Sequence, residues 1–342
     1  MRGPGAPPPR MAKTPAPIMT DRYVRQTVLP EIGPEGQQRL GAATVLVVGA
    51  GGLGCAVLQY LCAAGVGRLL ILDHDRIEES NLHRQPLYRM SDLGAPKALA
   101  AAAAMTALNP QVRVEGAVQR LTPANAADWV ACADIIVDAA DSLALTYMLN
   151  DECRHRSTPL VSASVLGLSG YVGAFCGGGP SYRAVFPEMP RQAGSCAASG
   201  VLGTAVGVMG TLQAHMTLAL LLQLTPTALG QLVSVDFRTL RFSGFSFAAA
   251  PEPEAVPLRF IAPEHVSEAD VVVDLRSLAE APQSPFPRAL RVGVEEVERT
   301  GLAHVRDARV VLCCRSGIRA WRAAGALRRA GHTNLALIAL GD

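Results

Sequence analysis

The sequence predicts an α/β chain in two parts: a large domain on a doubly wound, mostly parallel sheet, then a small α/β domain. Three observations carry this. Thr44 to Val48 (TVLVV) is an apolar, β-branched run that reads as a strand buried on both faces, and it leads directly into Gly49-Ala50-Gly51-Gly52-Leu53-Gly54. A Pro- and Ala-rich stretch over 248–257, AAAPEPEAVP, interrupts the apolar pattern and reads as a linker. Beyond it, Asp270 to Leu275 (DVVVDL) and Arg309 to Cys313 (RVVLC) read as two more short strands, the second followed by a helix to Ala330. The chain has 342 residues, 49% of them hydrophobic and 18% charged, enough for two domains with large cores and too apolar for disorder.

Residues 1–19 hold Pro4, Pro7, Pro8, Pro9, Pro15 and Pro17 without the apolar run of a signal peptide, and we expect a disordered tail with a true start at Met11 or Met19. Basic residues number 31 against 29 acidic. Three of the basic groups, Arg2, Arg10 and Lys13, lie in that tail, so the body is near neutral and no nucleic-acid partner is expected. Eight cysteines without a CxxC pair are not a disulfide framework and suit a reducing cytoplasm. From Gln192 to Val235 there are 44 residues with no Asp, Glu, Lys or Arg, and Val201 to Leu224 is long enough to span a membrane. Gln213, His215 and Thr217 in its middle and four early glycines (200, 203, 207, 210) favour a helix buried between layers, with no membrane contact.

The helix expected from Cys55 to Ala64 and a second strand, Arg68 to Leu72, complete a strand-glycine-helix-strand unit ending at Asp73, 19 residues past Gly54. Glycines let the backbone turn tightly and approach phosphates at a helix N-terminus, and an acid at that distance can hold a ribose hydroxyl. The bland alternative is a turn needed only for helix packing. Past Asp73 the pattern departs from a dehydrogenase: Asn81, Arg84, Gln85 and Lys97 follow, and a fork-shaped plus a point cation suit a triphosphate better than a nicotinamide ring. An NAD-dependent oxidoreductase is thus the weaker alternative. Lysine occurs only at Lys13 and Lys97, so Lys97 is the one lysine of the folding body.

Arg22-Tyr23-Val24-Arg25-Gln26, Gly49 to Gly54, Asp73-x-Asp75, Ser80-Asn81-Leu82-x-Arg84-Gln85, Lys97, Asp138-x-x-Asp141 and Gly200-Val201-Leu202-Gly203 together resemble the ThiF/MoeB/HesA-type, ubiquitin-activating-enzyme-like adenylyltransferases. The resemblance covers roughly residues 20–240 and implies a Rossmann-like domain over 20–247 that adenylates the C-terminal glycine of a ubiquitin-like sulfur carrier ending in Gly-Gly, of the molybdopterin-synthase or thiamine type. Residue by residue it implies Gly51 and Gly52 at the nucleotide and Asp73 on the ATP ribose. Asn81, Arg84, Gln85 and Lys97 would surround the phosphates, and Asp141, at the end of a strand Ile135 to Val137, would hold Mg²⁺. Arg25 would reach the ATP of the partner in a homodimer. Taken alone, Arg25 and Arg84 could be surface arginines and Asp141 a helix cap.

The family's structural zinc is held by two CxxC pairs. Here Ser181-Tyr182-Arg183-Ala184 stands where the first would fall and Arg241 to Phe247 offers no thiol for the second, so no zinc is expected. Ser142 and Thr146 replace the family's Asn and Arg after Asp141, which motivates a second alternative, a noncatalytic carrier-binding adaptor. Cys196, in the stretch matching the family's mobile crossover, would be a nucleophile, against inert packing. Cys55, Cys62, Cys132, Cys153 and Cys176 read as core residues.

In the last part, residues 258–342, Cys314-Arg315-Ser316-Gly317-Ile318-Arg319 between strand and helix, with Asp274-x-Arg276, resembles the active loop of a rhodanese domain. Backbone N–H groups and a helix dipole there favour a thiolate or persulfide. Ser284 to Arg288 lacks the usual turn and the chain ends at Asp342 just after its last strand, so a shortened domain is expected, with Cys313 a passive neighbour. The tandem implies adenylation followed by sulfur transfer to a thiocarboxylate through Cys314, fed by a persulfide donor such as a cysteine desulfurase or thiosulfate.

Overall fold

The computed structural model describes residues 7, 21–190, 200–254, 257–302, 305 and 308–341. Cys196 and most of the N-terminal tail lie outside them.

The large domain is an eight-stranded sheet. Its strands are β1 (Thr44–Val48), β2 (Arg68–Asp73), β3 (Arg113–Val118), β4 (Ile135–Asp138), β5 (Pro159–Leu166), β6 (Ser169–Cys176), β7 (Gln231–Asp236) and β8 (Arg241–Ser246). Their order is β3-β2-β1-β4-β5-β6-β7-β8, parallel from β3 to β5 and antiparallel from there to β8. The β-branched run of β1 is central because neither of its faces meets water: Val45 and Val47 point to one layer, Leu46 and Val48 to the other, all 0–3% exposed. The first layer holds α3 (Gly52–Ala63), α4 (Lys97–Leu108) and α8 (Gly203–Leu222), and the second α5 (Ala126–Ala131) and α6 (Leu143–Arg156). Two short N-terminal helices, α1 (Val24–Thr27) and α2 (Gly33–Ala42), pack against the first layer, and a one-turn helix, α7 (Tyr182–Val185), follows β6.

The membrane-length segment is α8, long and apolar enough to cross a bilayer by composition. Its place is the interior. Gln213 is fully buried and its Nε2 donates to the carbonyls of Asp138 (2.6 Å) and Val161 (3.0 Å), ties to the sheet that a lipid-facing helix could not make. Five expected core cysteines, Cys55, Cys62, Cys132, Cys153 and Cys176, are all buried and none is in a disulfide. Burial pushes the Cys55 and Cys176 thiols up to about 12 and Cys62 up to about 11, which leaves them inert.

The C-terminal unit is a five-stranded, wholly parallel sheet of β9 (Arg259–Phe260), β10 (Val271–Asp274), β11 (Leu290–Arg291), β12 (Val310–Cys314) and β13 (Leu335–Ala339), in the order β11-β10-β12-β13-β9. Helices α9 (Val294–Thr300) and α10 (Ile318–Arg329) cover the face that carries Val273, Leu312 and Cys314. That core is continuous with the α5/α6 side of the large domain, so the two units share one apolar layer. Two expectations change here. The strand expected over Arg309 to Cys313 runs instead over Val310–Cys314, so that Cys314 is its last residue. The 248–257 stretch is not a free tether over its described part: Glu252 accepts from the N–H and hydroxyl of Ser181 at 2.7 and 2.6 Å and pairs with Arg154 at 3.0 Å.

Candidate functional site

The sheet order reverses at β1, with β2 on one side and β4 on the other, so a crevice opens at their carboxyl ends, the place where open α/β sheets bind ligands. The glycine run forms its floor. Gly49 has φ +98°, and a Cβ there would sit 2.7 Å from the Ala139 carbonyl; at Gly52 it would sit 2.6 Å from Val206 Cγ1. Both glycines are therefore demanded by close approach, of the β4 loop in one case and of α8 in the other. Gly51 and Gly52 form the entry to α3, whose free N–H groups and positive dipole end face the crevice.

Asp73 ends β2, one residue later than expected, and is 9% exposed. Its Oδ2 accepts from Ala50 N–H and its Oδ1 from Asp75 N–H, both at 2.7 Å. Burial pushes this carboxyl above its ordinary range, opposed by those two N–H groups and by Lys97. Asp73 thereby locks the glycine loop to the strand beside it.

Lys97 is the first residue of α4, only 6% exposed, with Nζ 3.0 Å from Asp75 Oδ2. Asn81 and Arg84 are held by their own turn: Asn81 Oδ1 accepts from Glu78 N–H (3.3 Å), and Arg84 Nη1 donates to the Ser80 carbonyl (3.0 Å). Gln85 is 3% exposed and lies beside Gly51, yet its Oε1 carries no hydrogen bond within the chain. A buried amide oxygen without a partner beside the glycine floor is free to accept from a ligand donor.

One participant was not foreseen from sequence. The buried Tyr88 hydroxyl lies 2.7 Å from the Ala50 carbonyl and 3.3 Å from that of Lys97, bridging the glycine loop to the start of α4. A lone tyrosine in a loop has no spacing signal that would reveal it.

Across the crevice, Asp141 is exposed, three residues past the end of β4 rather than at it. The N-cap of α6 is Ser142, so Asp141 is not that helix's cap. A single open carboxylate fits Mg²⁺, which keeps water and phosphate oxygens in most of its shell. Beneath it, Asp138 is fully buried, and its Oδ2 accepts from Thr146 Oγ1 (2.7 Å) and Ser162 Oγ (2.8 Å). Thr146, a departure in the sequence pattern, thus anchors the acid that shapes this loop.

Burial pushes Asp138 up to about 6, against the hydrogen bonds of Thr146 and Ser162. The folded chain holds this proton up to about pH 6 while the unfolded chain releases it near 3.8. The group's contribution to stability is therefore full below the lower value and falls as pH rises through the upper one. Asp138→Asn is expected to gain about 1–2 kcal/mol relative to the parent when urea melts at pH 7.5 are compared with melts at pH 5. Parallel pH dependence in the two proteins would refute the shift.

Arg25 does not join this crevice. It is exposed on α1, which is tied by the Gln26 side chain to the Ala64 carbonyl at the far end of α3. The twelve residues of α3 put that end roughly 18 Å from the glycine loop. Beside α1, an apolar cavity of about 300 Å³ is lined by Leu29, Ile32, Leu40, Leu218 and Leu222.

In the C-terminal unit, Cys314 Sγ accepts from the N–H groups of Gly317 (3.2 Å) and Ala320 (3.4 Å), the anion-favouring arrangement expected at this loop. The thiol is fully buried, however, and not open to solvent. Cys313 points to the opposite face of β12, where burial pushes it up to about 12. Asp274 accepts from Arg276 Nη2 and from Ser284 Oγ, both at 2.8 Å, so Ser284 takes part in pinning the acid at the β10 end. Arg319 reaches the Glu280 carboxylate (2.7 Å) and the Leu275 carbonyl (3.1 Å).

Ser181 to Ala184 carries no thiol of its own; the Ser181–Glu252 bonds and an Arg183–Asp151 ion pair (2.6 Å) occupy the segment. Among the described residues the one group of three potential metal-binding side chains is Asp73, His74 and Asp75.

Comparison with known proteins matches the ThiF family over residues 23–255. The chain is similar to a sulfur carrier protein adenylyltransferase of Thermus thermophilus, 46% identical over 224 residues, covering 63% of this chain and 83% of that protein. It is also similar to an adenylyltransferase and sulfurtransferase MOCS3 of Sus scrofa, 45% identical over 232 residues, covering 67% of this chain and half (50%) of that protein. Among solved structures, the crystal structure of E. coli MccB aligns with a TM-score of 0.60 at 21% identity, covering 72% of this chain and 74% of that one, and shares the fold.

Proposed function

This chain belongs to the ThiF family, and from that premise we propose that it adenylates the C-terminal glycine carboxylate of a ubiquitin-like sulfur carrier and then delivers sulfur to it. The observation that carries the first step is the crevice at the β1/β4 switch, where a glycine floor, Asp73, the unpartnered Gln85 Oε1 and the buried Lys97 converge. In this reading ATP lies with its ribose at Asp73 and its phosphates over the α3 N-terminus, within reach of Asn81, Arg84, Gln85 and Lys97. Asp141 would hold Mg²⁺, which neutralises phosphate charge when bound. A carrier carboxylate oxygen attacks the α-phosphorus, the bond to the β-phosphate oxygen breaks, and pyrophosphate leaves. Such a step needs positioning and charge neutralisation more than a general base. An NAD-dependent reading finds no support in the cation cluster.

For the second step, a persulfide on Cys314 attacks the acyl carbon of the adenylate and AMP leaves. A second thiol, Cys196 in this reading, attacks the Cys314 sulfur of the resulting acyl disulfide, so that a Cys196–Cys314 disulfide forms as the thiocarboxylate leaves, and an external thiol then reduces that disulfide. The C-terminal unit, beyond the matched residues, acts as a rhodanese-like domain, loaded by a cysteine desulfurase or thiosulfate. We place Arg25 in a neighbouring subunit's crevice within a homodimer, consistent with its distance from its own crevice and with the apolar cavity beside α1. Zinc is no part of this reading, because Ser181 and Ala184 stand where the family's first thiolate pair would be and offer no thiolate ligand. Seven cysteines among the described residues, none in a disulfide, suit the cytoplasm.

ATP–pyrophosphate exchange measured with a panel of Gly-Gly carriers tests the reading. Exchange that appears only with a carrier present is expected. No exchange with any carrier, while one still binds, would replace it with a noncatalytic adaptor.

A further inference from the structure

The sulfur loop does not stand clear of the large domain. Gly317 is pressed between Phe260 of its own unit and the first turn of α6: a Cβ there would lie 2.7 Å from the Phe260 ring and 3.2 Å from Ala144 Cβ. Cys314, three residues earlier, is 0% exposed and already accepts two N–H groups. A persulfide adds a second sulfur about 2.05 Å beyond the first. With Sγ enclosed on every side, neither that atom nor the end of a carrier tail has room to arrive.

The unit is held in this position by the segment after β6. Arg183 is 6% exposed; it pairs with Asp151 (2.6 Å), donates to the Leu258 carbonyl (3.0 Å), and its guanidinium lies over the rings of Tyr147 (4.7 Å) and Trp321 (5.4 Å). Trp321, at the start of α10 and close to the sulfur loop, donates its indole N–H to Glu188 at 3.0 Å. One cation thus joins α6 and the chain entering β9 while stacking on α10, and a carboxylate holds the same tryptophan. Stacked, ion-paired contacts of this kind can hold two units together yet be released together.

We propose that Arg183 and Glu188 form a clasp that keeps the C-terminal unit docked on α6 with Cys314 shielded, and that sulfur reaches or leaves this thiol only when the unit undocks. The proposal rests on Cys314 as the sulfur-handling residue, but shielding is read by alkylation, which needs neither ATP nor a carrier. A failed clasp and a failed assignment of sulfur chemistry are therefore distinguishable.

The full chain is treated with iodoacetamide under native conditions, and the Cys314 peptide is followed over time by mass spectrometry beside the urea-unfolded chain. The wild-type thiol is expected to react at least about a hundredfold more slowly than in the unfolded chain. Arg183→Met, which keeps an apolar stem but removes the cation, is expected to raise its rate at least about tenfold. Glu188→Ala, at an exposed position, should raise it severalfold. Cys55 and Cys153, buried in the large domain, report whether each variant is still folded and must stay protected. Wild-type Cys314 reacting within tenfold of the unfolded rate would overturn the proposal. So would unchanged protection in both variants, which would mean that the small unit shields its own thiol. If Arg183→Met exposes Cys55 as well, Glu188→Ala alone decides.

Discussion

Lys97→Ala is expected to lower carrier-dependent ATP–pyrophosphate exchange at least about a hundredfold, the scale on which a preorganised donor contributes at a low-dielectric site. Nζ is nearly buried and its protein partner, Asp75, is half exposed at 53%. Phosphate oxygens entering the crevice would compete with Asp75 for the ammonium, so the cation is available to charge developing in the transition state. Removing it leaves behind a carboxylate that water can solvate, so the fold should survive; a thermal melt within a few degrees of the parent is expected. Lys97→Arg keeps the charge but replaces a compact ammonium with a wider fork, and should recover only part of the activity. Exchange at the parental rate in Lys97→Ala would remove this lysine from the chemistry.

Cys314→Ala is expected to separate the two proposed activities. Pyrophosphate exchange should stay within about twofold of the parent, because none of the residues assigned to ATP in this reading lies on the sulfur loop, while thiocarboxylate formation on the carrier, read by intact mass, should cease. The substitution removes one sulfur from a packed core and leaves two N–H groups without their acceptor. A stability loss of about 1–3 kcal/mol is expected in consequence, and the exchange assay serves as the control for folding. Continued thiocarboxylate formation would assign sulfur delivery to another thiol.

Much of the crevice was legible before any coordinates, because its parts are local. A buried strand running into glycines and then a helix is a short-range pattern, and Asp73, Asn81, Arg84, Gln85 and Lys97 fall within a few dozen residues of it. Lys97 was legible for a different reason: a chain that otherwise uses arginine placed one lysine in its folding body, just where a compact cation would serve. What could not be read was the support behind these residues. Tyr88 braces Ala50 from 38 positions away, and Thr146 and Ser162 converge on Asp138 from two different elements. Thr146 was legible only as a departure, since the loss of a charged residue can be seen in a sequence but the hydrogen bond that replaces it cannot.

The sequence by itself determined the α/β class, the order of elements, the glycine floor and the types of residue around it, because each depends on periodicity or on chemistry within one turn of chain. It determined equally that Cys314 would lie where a strand gives way to a helix, with N–H groups aimed at its sulfur. Only the tertiary structure decided whether that thiol is open. Its burial depends on how the small sheet's core merges with the α5/α6 layer and on Arg183, Trp321 and Glu188 meeting across more than a hundred positions of sequence. Contacts of that range carry no local signature, because any surface arginine and any helical tryptophan would read the same until folding brings them together.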